Sequence, residues 1–169
     1  MADMTTTPSS SGDDRPARPV NVGARFPAGY RALASIEAAL AEGPIPLATR
    51  ELVKLRASQI NGCAYCLDMH TKDALAAGED PLRLALVAAW REATCFTPAE
   101  RAALAVAEAV TRIDRDHVPP EVEAEARRHY DVEAYAALVF TAIVINAWNR
   151  LAIASHTEPG HYRPGDHDA

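Results

Sequence analysis

A chain of 169 residues with 35 alanines, 8 glycines, 3 Phe and 2 Trp fits one helical domain, because alanine has the best helix propensity whereas strands favour β-branched and aromatic side chains. A net charge of −6 with scattered Lys and Arg argues against nucleic acid or an anionic membrane as partner. The longest apolar stretch, Leu138 to Ile145, is far short of a membrane span, and Met1-Ala2-Asp3-Met4-Thr5 carries no leader signature, so a soluble cytoplasmic protein is expected.

Residues 1–22 are small, polar and interrupted by proline, and are expected as a disordered tail before a single domain over 23–160. A first helix is expected over 30–41, with Leu33, Ile36, Ala39 and Leu40 on one face and Gly43-Pro44 ending it. Pro46 suits the first position of a second helix, which Asn61-Gly62 breaks. A third runs from Cys63 to Ala77, with Gly78 as its left-handed cap. Asp80-Pro81 opens a fourth, to Trp90, and the capping box Thr97-Pro98-Ala99-Glu100 opens a fifth, to Arg112. Val118-Pro119-Pro120 starts a sixth, to Tyr130, and Asp131 caps the last, to Ile153. No segment alternates with the period of a half-buried strand and no repeat is visible. The fold class expected is therefore all-α, a compact bundle of six or seven helices followed by a polar tail over 161–169. Between Ala136 and Ile153 the last helix is apolar nearly all round, so it needs cover on most sides, part of it from another subunit.

The chemistry concentrates between Glu51 and His70. Three cysteines cannot make a disulfide framework, so the close pair Cys63 and Cys66 points to redox or metal chemistry. At i, i+3 on a helix they share a face, with Cβ atoms about 5–6 Å apart, and a small adjustment closes a disulfide. His70 lies over the same face, one turn beyond Cys66 and two beyond Cys63. A helix N-terminus lowers a thiol pKa, but acidity alone does little. A drop from about 8.5 to about 6.5 raises the thiolate fraction roughly 25-fold, while nucleophilicity falls roughly 6- to 10-fold. A thiol that cleaves a peroxide also needs a proton for the departing oxygen, a general-acid task worth about 10²–10⁴-fold. His70 and Glu51 are the groups available, with Glu51 folded back by the Asn61-Gly62 turn and its carboxyl expected to be raised by burial. A zinc site of Cys63, Cys66 and His70, completed by Glu51 or Cys95, is the alternative use of the same residues.

Glu51, then Ser58-Gln59-Ile60-Asn61-Gly62-Cys63-Ala64-Tyr65-Cys66, then His70, resembles the alkylhydroperoxidase D-like branch of the carboxymuconolactone decarboxylase family. Trp90-Arg91-Glu92, Glu100-Arg101-Ala102-Ala103-Leu104 and Ile145-Asn146-Ala147-Trp148-Asn149-Arg150-Leu151 extend the likeness over about residues 28–155. The resemblance implies a thiol-dependent peroxidase that reduces organic hydroperoxides and assembles as a trimer or hexamer. Carried over, Cys66 is the peroxidatic thiol, Cys63 the resolving thiol, and Glu51 and His70 the proton relay. No cofactor or metal is expected, the reductant being an external lipoyl or thioredoxin-like dithiol. The founding members carry a His between the cysteines where this chain has Tyr65, a candidate hydrogen-bond donor to bound peroxide. Two alternatives stand beside this reading. One is a lactone decarboxylase, whose chemistry has no need of a dithiol; the other is a non-catalytic, redox-sensing helical oligomer.

The remaining features read as structural. Cys95 is a small core residue, Trp90 and Trp148 are core or interface anchors, and His117, His129, His156, His161 and His167 are surface or capping groups. Asn146 and Asn149 are polar groups inside an apolar helix and must find partners, across a subunit contact or at a helix terminus. The charged stretch from Arg112 to Glu125 reads as a solvated loop and helix start.

Overall fold

The computed structural model describes residues 19–166; most of the tail expected over 1–22, and His167 with it at the other end, lie outside the described residues. Among the described residues every regular element is helical. Two four-residue helices, α1 (Val22–Arg25) and α7 (Ile113–Asp116), are too short to show a periodic face, and α7 falls where a plain loop was expected. The rest follow the expected order: α2 (Pro27–Ala41), α3 (Leu47–Asn61), α4 (Ala64–Ala76), α5 (Pro81–Leu86), α6 (Pro98–Thr111), α8 (Pro120–Ala126) and α9 (Val132–Ala154).

The differences lie at helix ends and have local causes. Pro27, with its φ already set for a helix, starts α2 three residues before Tyr30. Pro46 is the N-cap of α3 rather than its first residue, with extended ψ of 144°. α5 tightens into a 3₁₀ turn, Val87–Ala89, and stops short of Trp90. The Thr97–Glu100 capping box is formed, with both reciprocal hydrogen bonds present. Arg50 closes the end of α2 by donating from one guanidinium nitrogen to the carbonyls of Leu40, Ala41 and Ile45 at 3.1, 3.2 and 2.9 Å.

The central helix is α3, which packs against α4, α6 and α9. Its contact with α6 and α9 is dominated by small side chains, Ala102, Ala103, Ala107 and Ala142 among them, with Val53 and Leu138 filling between them. Alanine here lets helix axes approach closely, which is how so alanine-rich a chain builds a core. A buried ionic hub also ties α3 to α6. Glu108 accepts from the Arg56 Nε at 2.7 Å and the Trp90 indole at 3.0 Å, and pairs with Arg91 at 2.5 Å. The Arg91 guanidinium stacks over the Trp90 ring at 4.2 Å.

α9 is long and apolar enough to span a membrane by length and composition, contrary to the estimate from its uninterrupted apolar run. It is nevertheless the core helix, with Leu138, Thr141, Ala142, Ile145 and Asn149 buried against its neighbours. Among the described residues its cover is incomplete. Val132, Phe140 and Ile143 remain 64%, 51% and 47% exposed along one stripe.

The segment after α9 is not a free polar tail. Tyr162 is buried and its hydroxyl donates to Asp73 at 2.7 Å, while Lys72 donates to the Tyr162 carbonyl at 3.0 Å. Gly160 donates to Asp68 at 2.9 Å. These contacts strap residues 160–162 across α4.

Candidate active site

The turn between α3 and α4 decides where the sulfurs lie. Gly62 ends α3 at φ +68°, a left-handed conformation that L side chains adopt at a cost. Cys63 is then extended (φ −83°, ψ 96°) and forms the N-cap of α4 instead of its first turn. Its sulfur folds back over the helix start and accepts the Cys66 N–H at 3.4 Å. The two sulfurs therefore stand 2.6 Å apart, much closer than a same-face i, i+3 pair on a regular helix would place them.

That arrangement sets the charge on the pair. The hydrogen bond shared with the Cys66 sulfur, assisted by the backbone N–H groups of Cys66 and Tyr65 and by the Asn149 side chain, overcomes burial and brings the Cys63 thiol down to about 7. The same sharing, with burial added, pushes the Cys66 thiol up; the Asn149 side chain opposes this. The pair titrates as one unit, holding one proton between two sulfurs near neutrality.

His70, one turn beyond Cys66, is buried, and its Nδ1 lies 2.8 Å from Glu51 Oε2. The Glu51 carboxyl does not have the raised pKa that burial alone predicts. Burial does push it up, but the hydrogen bond and charge of His70, together with Lys54, outweigh that and hold it below the usual carboxylate value. Lys54 Nζ is 3.5 Å from Glu51 and 3.0 Å from Glu37 on α2. Glu51 is thus a fixed anion that orients the imidazole, with Nδ1–H directed at the carboxylate. On the far side Asp73 approaches the pair, with one donor atom of each of Glu51, His70 and Asp73 within 4.8 Å of the others. Burial, opposed by the Tyr162 hydrogen bond and reinforced by the Glu51 charge, pushes the Asp73 carboxyl up. The zinc set weighed from the sequence is not assembled through Cys95, which packs in a separate cluster with Trp90 and Phe96.

A cavity of about 770 Å³ opens over these groups. Cys66, His70, Glu51 and Asp73 line it; Cys63 is not among the lining residues, although the two cysteines are equally buried at 1% exposure. Tyr65 lines it as well, so the residue between the cysteines reaches the space above them. Tyr30 and Trp148 meet edge-to-face in its wall, with ring centroids 5.0 Å apart. Trp148 therefore lines the site while also packing, as expected of a core anchor, against the buried cluster of Ala57, Cys63, Cys66 and Ile145.

All four residues nominated as catalytic (Glu51, Cys63, Cys66 and His70) come together. Lys54, Asp73, Tyr162 and Asn149 also belong to the assembly and were not nominated. Only Asn149 carried a signal, as a polar side chain in an apolar helix. It is fully buried; its Oδ1 accepts from Asn61 Nδ2 at 2.7 Å and its Nδ2 donates to Ser58 Oγ at 3.0 Å.

Residues 26–109 match the model of the carboxymuconolactone decarboxylase family. The chain is 43% identical over 128 residues to the uncharacterized protein YdfG of Bacillus subtilis (strain 168), covering 76% of this chain and 87% of that one. Among solved structures it is similar to a protein of unknown function from Agrobacterium tumefaciens described as a putative antioxidant defence protein AhpD. The two share 30% identity over 86% of this chain and 100% of the other, with a TM-score of 0.81. The debrominase Bmp8 shares the fold at 20% identity and a TM-score of 0.74, over 85% of this chain and 78% of its own. With the Glu51–Cys63–Cys66–His70 cluster seated in a helical fold of this shape, the chain belongs to the alkylhydroperoxidase D-like branch of the carboxymuconolactone decarboxylase family.

Proposed function

We propose that the protein is a thiol-dependent peroxidase that reduces organic hydroperoxides through a Cys63/Cys66 dithiol–disulfide cycle. The observation that carries this reading is the position of Cys66, on the cavity side of a sulfur pair and one helical turn from an imidazole held by a buried carboxylate. Cys63 is the more acidic thiol, but Cys66 is the one in the cavity lining. Access decides between them, and the reactive microstate is the one in which the shared proton sits on Cys63.

In the first step His70 takes up the Cys66 proton, the Cys66 thiolate attacks the terminal peroxide oxygen, the O–O bond breaks, and His70 returns that proton to the departing alkoxide. The products are an alcohol and a sulfenic acid on Cys66. Cys63 then attacks that sulfur, the S–O bond breaks, and water leaves as the disulfide forms. An external dithiol, of lipoyl or thioredoxin-like type, exchanges with the disulfide and restores both thiols. Glu51 fixes the imidazole throughout. In this cycle Tyr65, which lines the cavity, donates to the bound peroxide. The aromatic wall of Tyr30 and Trp148 favours a substrate with an apolar organic group. A reducing cytoplasm supplies the setting the cycle needs.

The test is steady-state consumption of cumene hydroperoxide by the full chain with dihydrolipoamide as reductant. Turnover with accumulation of oxidised lipoamide is expected. If the reduced protein neither turns over nor forms the Cys63–Cys66 disulfide with one equivalent of peroxide, the reading fails.

We also propose that the subunit assembles as a trimer or hexamer through the α9 stripe. Val132, Phe140 and Ile143 form an apolar row that the subunit itself leaves uncovered. A charge placed in such a contact has to be desolvated on association, so Phe140→Glu is expected to lower the mass measured by light scattering to that of a monomer. An unchanged mass would move the interface elsewhere.

A further inference from the structure

The geometry points to a cavity that admits neutral organic groups to Cys66 and turns carboxylates away, so that substrate and reductant reach the sulfur uncharged. The inference narrows the substrate class of the proposed peroxidase cycle and rests on that reading only for its catalytic consequence.

The wall is apolar where an organic group would lie. Tyr30 and Trp148 meet edge-to-face, and Met69 and Leu151 line the same space. The polar part is lopsided in charge. Among the described residues Glu37, Glu51, Asp73 and Asp166 line the cavity, against Lys54 and the His70 imidazole. Lys54 is already engaged, its Nζ 3.0 Å from Glu37 and 3.5 Å from Glu51, and His70 Nδ1 faces Glu51 at 2.8 Å. The remaining two carboxyls have neutral donors: Asp73 accepts the Tyr162 hydroxyl at 2.7 Å, and Asp166 accepts the Arg163 backbone N–H at 2.8 Å. Burial pushes the Asp73 carboxyl up, and with Asp73 left out three carboxylates still face one ammonium and one imidazole. No guanidinium lines the cavity among the described residues, so an entering carboxylate finds no forked donor. The N-terminus of α4 favours anions, but its Cys66 N–H is already given to the Cys63 sulfur at 3.4 Å.

A carboxylate that enters gives up its water and meets like charge. One uncompensated like charge about 8 Å away disfavours an anion roughly 30-fold at an effective dielectric of about 20, and salt reduces this to about tenfold. An amide of the same shape meets no such barrier. Repulsion of the charged relative, rather than added attraction for the neutral one, sets the preference. The rule extends to the reductant: a lipoyl group in amide linkage is uncharged, whereas free dihydrolipoate carries a carboxylate.

Alkylation of Cys66 in the reduced full chain, without peroxide, reads the effect directly. Iodoacetamide and iodoacetate are nearly the same size and differ by one charge. Their rate ratio at Cys66, located by mass spectrometry, is expected to exceed the ratio for 2-mercaptoethanol by about tenfold in low salt and to shrink as salt is added. Glu37→Gln and Asp166→Asn each remove a lining carboxylate that takes no part in the proposed chemistry. Together they are expected to bring the two ratios within about threefold of each other. Glu125→Gln, on α8 and outside the cavity lining, is expected to leave the ratio where it was. In turnover, dihydrolipoamide is expected to exceed dihydrolipoate about tenfold in kcat/KM. A ratio at Cys66 no larger than that of the free thiol, or one that neither salt nor the paired substitutions move, overturns the inference. So does a Cys66 that iodoacetamide does not reach. Absence of hydroperoxide turnover would instead overturn the peroxidase cycle and leave the alkylation result standing.

Discussion

Cys66→Ser is expected to show no hydroperoxide consumption above the uncatalysed rate, whereas Cys63→Ser still consumes one equivalent per subunit and then stops. The asymmetry follows from position. Cys66 lines the cavity and Cys63 does not, so in the proposed cycle it is the Cys66 sulfur that meets peroxide, and without Cys63 the sulfenic acid has no thiol to condense with. Rapid-mixing measurement of the single turnover, with dimedone trapping and mass spectrometry to locate the adduct, checks both halves. A burst in Cys66→Ser and none in Cys63→Ser would exchange the two roles and make acidity, rather than access, decisive. His70→Ala and Glu51→Gln remove the proton donor and its orienting anion. Each is expected to lower kcat/KM by about 10²–10⁴-fold while leaving the slow chemical formation of the disulfide intact.

The largest effect on stability is expected at Glu108. Glu108→Ala leaves the Arg56 guanidinium, only 11% exposed, with its charge unanswered in the α3–α6 contact, and strips the Trp90 indole of its acceptor. Loss of one partner from a buried pair costs about 3–5 kcal/mol, read as a fall in the denaturant midpoint. Glu108→Gln keeps an acceptor for Trp90 and should fall between the two. The pH dependence has a definite sign. Burial pushes the Glu108 carboxyl up, but the Trp90, Arg91 and Arg56 contacts outweigh that and hold it below its usual value of 4.5. Its stabilisation is therefore fully present above that value and is lost as pH falls through the lower folded-state one. The alanine variant should show a shallower acid limb than the wild type; parallel limbs would show that Glu108 is not ionised where it lies.

The span from Glu51 to His70 was legible because its geometry is local. Two helices joined by Asn61-Gly62 must fold back on each other, and i, i+4 spacing puts His70 above Cys66 whatever the remainder of the chain does. The N-cap role of Cys63 was not legible, since helical spacing says nothing of the ψ taken by the residue after a left-handed glycine. The state of Glu51 failed for another reason. Burial could be guessed from its apolar neighbours, but Lys54 on the next turn reads as a surface lysine until Glu37 on α2 is seen to draw it inward. Tyr162 and Asp73 lie 89 positions apart and carry no periodic signal, so their contact emerges only from the tertiary fold. Asn149 was visible as a buried amide in need of partners, yet which partners depended on how α9 lies across α3. Helix ends followed turn chemistry where a capping box or Asp-Pro was present and drifted where proline stood alone.

Position 62 is governed by handedness rather than by room. A methyl group there would meet nothing within 4 Å, so crowding does not reserve the site for glycine. The backbone does: at φ +68° an L residue is disfavoured by about 1–2 kcal/mol, while a D-alanine introduced by chemical synthesis would sit without strain. Mirror-image substitution at this single point would therefore stiffen the hinge from which both sulfurs hang.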